Sequence, residues 1–179
     1  MYEADGTDPM GTEQLELRSR GGLRDALDLR PVAAADLPFL IEMTVLAAFA
    51  PEAAPDRAEE MPYVVRWVED WGRDGDVGVV AWWHGERIGA AWCRILDDVL
   101  VRDEAGSPLP EIAIAVRAEH RSRGIGTALL AALADRAGAA GRPTLSLAVH
   151  TLNPARHLYE RAGFVTVRTE GDGVTMTRR

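Results

Sequence analysis

Arg121-Ser122-Arg123-Gly124-Ile125-Gly126-Thr127 stands between the apolar run Glu111–Val116 and a helical stripe made by Ile125, Leu129, Ala132 and Leu133. The two glycines let the backbone come close to a ligand and adopt conformations closed to other residues. The helix start that follows offers unpaired N–H groups and a partial positive charge, which suits a phosphate or pyrophosphate. Arg117, His120, Arg121 and Arg123 make this a basic corner of a chain whose net charge is −8. A plain strand–helix turn has the same glycines. A dinucleotide fingerprint does not fit, because its third glycine falls on Leu129.

The surrounding composition narrows the chemistry. The chain has 179 residues, of which 47% are hydrophobic and 27% charged, the balance of one globular domain. All 20 basic residues are arginine. Without lysine there is no Walker A loop, no Schiff base and no biotinyl or lipoyl carrier. A single cysteine, Cys93, excludes an internal disulfide and Cys-rich metal motifs; within its strand it reads as a core residue. The four histidines show no metal-ligand spacing, so no metal is expected. The acidic balance argues against nucleic acid as a partner. The first ten residues are acidic and lack an apolar core, and no apolar stretch approaches a membrane span; a cytoplasmic protein is expected.

Outward from the turn, the elements alternate. Residues 1–26 lack a period and read as a flexible extension, with one domain over 27–179. A strand is expected at Leu27–Pro31, then a helix capped by Asp36 with Leu40, Ile41, Val45 and Leu46 along its face. Pro51 and Pro55 bracket a loop. Pro62 opens a second helix with Val64, Trp67, Val68 and Trp71 at helical spacing, ended by Gly72 and Gly75. Val77–Trp83 and Arg87–Ile95 read as a hairpin about His84-Gly85-Glu86. An acidic loop (97–110) precedes the strand Glu111–Val116. After the central helix come a strand at Leu145–Val149, a helix capped by Asn153 with Pro154 in its first turn, and two paired strands about Gly171-Asp172-Gly173. The class is α/β (α+β), a mixed sheet of about six to seven strands with helices on both faces.

Downstream of the turn lies His150-Thr151-Leu152-Asn153-Pro154-Ala155-Arg156-His157-Leu158-Tyr159-Glu160-Arg161-Ala162-Gly163-Phe164. With this second segment, the sequence resembles the GCN5-related N-acetyltransferase (GNAT) superfamily. Glu111–Ala140 is similar to its motif A and Leu145–Phe164 to its motif B. The resemblance is strong over Glu111–Phe164 and looser over 27–179.

The resemblance implies a splayed pair of central strands that admits the pantetheine arm of acetyl-CoA. Backbone groups of Ile114, Ala115 and Val116 would pair with the arm. Those of Arg121, Ser122, Arg123, Gly124, Ile125, Gly126 and Thr127 would hold the pyrophosphate. Asn153 would touch the arm, or serve only as a helix cap. Tyr159 lies where many relatives carry a tyrosine near the CoA sulfur, which makes it the candidate acid; a packed helix tyrosine is the other reading. Glu111 is the candidate base, or a solvated strand-end carboxylate. Where some relatives place a glutamate on the next strand, this chain has Ala148, and His150 is a reserve base.

The expected activity is direct acetyl transfer from acetyl-CoA to a primary amine of a small molecule or peptide. The alternative is a non-catalytic acyl-CoA-binding sensor or interaction module. The acidic cluster Asp97, Asp98, Asp103 and Glu104 is expected either to attract a cationic amine or to be a solvated loop. Most of the five tryptophans should be core, with one or two lining an acceptor pocket. A homodimer is expected from the family.

Overall fold

A computed structural model describes residues 27–49 and 54–179; the proposed extension 1–26 and Pro51 lie outside the described residues. The elements are β1 (Leu27–Pro31), α1 (Leu37–Ala48), α2 (Pro62–Val65), β2 (Val77–Trp83), β3 (Glu86–Arg94), β4 (Glu111–Val116), α3 (Ile125–Ala139), β5 (Leu145–His150), α4 (Ala155–Arg161), β6 (Val165–Glu170) and β7 (Gly173–Arg178). The seven strands form one sheet in the order β1-β2-β3-β4-β5-β7-β6, and only β4 and β5 are parallel. The expected α/β class, strand number and two helical faces are all present.

Alternation along the strands sends side chains to two cores, one on each face. On one face, Ile112 of β4 and Leu145, Leu147 and Val149 of β5 meet Ile125, Leu129, Leu130 and Leu133 of α3. On the other, Val80, Ala90, Trp92 and Ala115 meet Phe39, Leu40 and Met43 of α1, with Trp67 and Val68 beyond α2. The β2–β3 hairpin turns on two residues, His84 and Gly85, both at positive φ (49° and 85°). That is the geometry that matches the twist of the flanking strands.

Two expectations need correction. The carboxylate of Asp36 does not cap α1. It accepts the Ala33 N–H (2.9 Å) and the Arg87 Nε–H (2.7 Å), tying the helix start to β3. The second helix stops after a single turn instead of running to Gly72. The reason is Arg94, fully buried, whose Nη1 donates to the carbonyls of Arg66 (2.7 Å) and Glu69 (3.0 Å). A continuing helix would use those carbonyls for its own ladder. Asp76 neutralises Arg94 from below at 2.8 Å, with both side chains almost fully buried. Trp67 and Val68 are nonetheless buried, so the apolar spacing was right about the face and wrong about the helix length.

Candidate active site

The site is set by where β4 and β5 stop pairing. They share a single register pair, Glu111 with Ser146. Ser146 pins that end twice: its N–H and its hydroxyl both donate to the Pro110 carbonyl, at 2.8 and 3.1 Å. Beyond it the strands diverge. Parity then tells which backbone groups face the opening. The Arg117 N–H donates to Ile88 of β3 (2.9 Å), whereas the Pro110 carbonyl faces β5. Odd-numbered residues of β4 therefore pair with β3, and Ile114 and Val116 turn their backbone groups into the cleft. Ala115 is opposite Ala90 in the β3 ladder, so the expected backbone role divides: Ile114 and Val116 face the cleft and Ala115 does not. On β5 the Thr151 N–H donates to Asp172, beside β7, which by the same alternation leaves Ala148 facing β4.

The glycine turn closes the wide end of this cleft. Ser122 (φ 60°) and Gly124 (φ 82°) both take left-handed backbone, and α3 begins at Ile125. No side chain caps α3, and its first ladder bond runs from Ala128 to Gly124. The N–H groups of Ile125, Gly126 and Thr127 thus precede the ladder, as an anion cradle requires. Gly126 also lies close to α4: a Cβ there would come 3.0 Å from Leu158 Cδ2, so that side chain would have to shift. The arginines of the turn point elsewhere. Arg121 Nε donates to the Val116 carbonyl (2.9 Å), and Arg123 stacks over Trp83 at 5.8 Å. What the turn offers an anion is its backbone.

Glu111 stands at the narrow end, and its odd parity puts the carboxyl on the α1–α2 face. Burial pushes it up to about 7, against a pull downward from Arg66 and a further push from Asp98. Tyr159 packs on the α3 face, edge-on to Phe164 at 5.9 Å, and burial pushes its hydroxyl up to about 12. Asn153 Oδ1 accepts the Ala155 N–H at 2.9 Å, the cap expected of it, while α4 begins at Ala155, one position later than the expected start at Pro154. His150 uses Nδ1 to accept the Leu152 N–H (3.1 Å), which commits the reserve base to its own turn. Cys93 is fully buried and its thiol is pushed up to about 12, so it stays protonated.

The acidic loop is mostly self-contained. Asp103 accepts the N–H groups of Ala105 and Ser107 at 2.9 and 2.8 Å, and Leu109 N–H closes back on Val101. Asp98 instead takes both its oxygens to Arg66 Nη1, at 2.9 and 2.7 Å. That hydrogen bond holds the Asp98 carboxyl below the usual range. Arg66 is the residue that sequence reasoning missed. It stands in the sequence as an ordinary polar position just after the α2 turn, and in the structure its charge pulls the Glu111 carboxyl downward.

The fold and the site together define a sheet opened between two parallel strands, with a carboxyl at the closed end and a bare helix start at the open end. The profile of the acetyltransferase (GNAT) family matches residues 42–164, and the chain belongs to that family. No curated protein matches the chain. Among solved structures it is similar to a GNAT superfamily phosphinothricin acetyltransferase from Sinorhizobium meliloti in complex with AcCoA, with 28% identity and a TM-score of 0.62 over 86% of this chain and 88% of that one. A GCN5-related N-acetyltransferase from Kribbella flavida shares 25% identity (TM-score 0.59, 87% and 98% covered). The paia N-acetyltransferase from Thermoplasma acidophilum, solved with coenzyme A, has the same fold at 20% identity (TM-score 0.62, 86% and 99% covered). Among the described residues no helix is long and apolar enough to cross a membrane.

Proposed function

We propose that the chain transfers an acetyl group from acetyl-CoA to a primary amine by direct attack. The observation that carries this reading is the position of Glu111, a carboxyl raised to about 7 at the closed end of the cleft between β4 and β5. Acetyl-CoA supplies the activated thioester carbon. Backbone groups of Ile114 and Val116 line the path for its pantetheine arm, and the N–H groups from Ser122 to Thr127 receive its pyrophosphate, that of Arg121 being donated to the Ala118 carbonyl at 3.2 Å.

Glu111 takes the proton that the amine sheds as its nitrogen bonds the acetyl carbon and the carbon–sulfur bond breaks. A base near 7 is half ionised at neutral pH, which balances availability against strength. Tyr159 donates a hydrogen bond to the departing sulfur. With its hydroxyl near 12 and a CoA-type thiol near ~8.5, the tyrosine steadies the thiolate and keeps its own proton.

Thiol release and acetylated product, measured over a panel of small primary amines, test the proposal. Turnover that falls in Tyr159→Phe while acetyl-CoA still binds supports it. Acetyl-CoA binding with no acetylation of any amine makes the protein an acyl-CoA-binding module instead.

A further inference from the structure

The last cleft-facing carbonyl of β4 is already in use. Val116 turns its oxygen toward the opening, where an amide N–H of the pantetheine arm would meet it, yet Arg121 Nε donates to that same oxygen at 2.9 Å. A donor to a carbonyl lies in front of the oxygen, which here means inside the cleft. The guanidinium and the arm therefore approach Val116 from one side, and one displaces the other.

The side chain is free to leave without disturbing the turn. The main chain at Arg121 is held separately, its N–H donating to the Ala118 carbonyl at 3.2 Å and closing the single turn Ala118–His120. The left-handed step at Ser122 (φ 60°) follows at once. Arg121 is exposed, so its movement uncovers no core. Among the described residues no carboxylate pairs with it, and the oxygen it holds is neutral. Arg117, next to Val116, is no substitute: its Nε and Nη2 both go to Glu42 at 3.2 Å. A phosphate offers the guanidinium a charge-assisted, two-pronged pair about twice as strong as its bond to a carbonyl. The backbone N–H groups from Ser122 onward hold that phosphate beside Arg121.

We propose that Arg121 is a donor-specificity residue, one that covers the Val116 carbonyl until a phosphate of the donor draws it away. The inference rests on the transferase reading above and adds how the site tells acetyl-CoA from a thioester without a pyrophosphate. With acetyl-CoA, one hydrogen bond breaks and two form: guanidinium to phosphate, and arm N–H to Val116. With S-acetylpantetheine the same bond breaks and only the arm N–H replaces it. The short donor is thus penalised twice, once for the missing contacts at the turn and once for uncovering Val116.

The test measures the affinities of acetyl-CoA and S-acetylpantetheine for the wild type, Arg121→Met and Arg121→Lys by NMR titration, which reaches millimolar binders. The two donors should move in opposite directions in Arg121→Met. Acetyl-CoA weakens by about 10-fold as the phosphate loses its partner, and S-acetylpantetheine tightens by about 3- to 10-fold as Val116 is uncovered. Arg121→Lys, which keeps a donor but not the fork, should fall between the two. A residue that only binds phosphate would leave S-acetylpantetheine unchanged, and one that only shapes the turn would weaken both donors. Either result, or an S-acetylpantetheine affinity no better in Arg121→Met than in the wild type, overturns the inference and leaves the transferase reading standing. A folded wild type that binds neither donor overturns both.

Discussion

At the residue scale, Glu111 and Tyr159 differ in what burial does for them. Both are pushed up by loss of water, but only the carboxyl arrives near neutral pH. The rate of acetyl transfer is expected to rise with pH through about 7 as Glu111 loses its proton. In Glu111→Gln that acid limb disappears and kcat/KM falls by about 10²–10⁴-fold. A pH–rate profile that keeps the limb in the variant would assign the base elsewhere. The same residue makes a prediction about stability. The folded state holds the Glu111 proton more tightly than the unfolded chain, whose carboxyl titrates near 4.5. Its contribution to stability is therefore present below 4.5 and is lost as pH rises toward 7. Glu111→Gln lacks that loss, so its stability relative to the wild type should improve between pH 5 and 8, measured by denaturant unfolding at each pH. Tyr159 titrates too high to shape either curve below pH 10, and its removal to Phe should lower kcat without a new pH limb.

At the element scale, the short α2 decides the acceptor side. Arg94 withdraws two carbonyls from the helix ladder, and Asp76 holds Arg94 while also accepting the N–H groups of Gly72 and Arg73 at 3.0 and 3.1 Å. Removing one member of a buried pair leaves the other charge without compensation. Asp76→Ala is therefore expected to destabilise the protein by about 3–5 kcal/mol, read as a lower denaturant midpoint. A loss under about 1 kcal/mol would mean that water reaches Arg94. This is also where the sequence was least legible. Val64, Trp67, Val68 and Trp71 marked the buried face correctly, yet nothing local announces that an arginine 28 positions onward will take the Arg66 carbonyl. Asp36 misled for the same reason: a good capping residue was claimed by Arg87 from another element. Elements governed by their own residues, such as the β2–β3 hairpin with His84-Gly85, were readable.

At the scale of the whole molecule, the cleft is a property of the sheet rather than of any one motif. The two cores follow from alternation along the strands, and Glu111–Val116 appeared in the sequence with its bounds intact. The turn at 121–127 was legible because positive φ at Gly124 favours glycine and a glycine at 126 fits the close approach of Leu158. Which backbone groups face the cleft was not legible, since that depends on register with β3, and Ala115 changed sides accordingly. The account as a whole requires acetyl-CoA to lie along β4 with its pyrophosphate at the start of α3. Calorimetric titration of acetyl-CoA into the wild type and Gly124→Glu tests this most directly. A Cβ at Gly124 meets no atom within 4 Å, so the variant should fold, at a cost of roughly 1 kcal/mol for its left-handed backbone. It places a carboxylate where an anion should sit. The account predicts that the wild type binds acetyl-CoA and that Gly124→Glu binds it at least ~10-fold more weakly. A folded wild type that does not bind, or a variant that binds equally well, would contradict it.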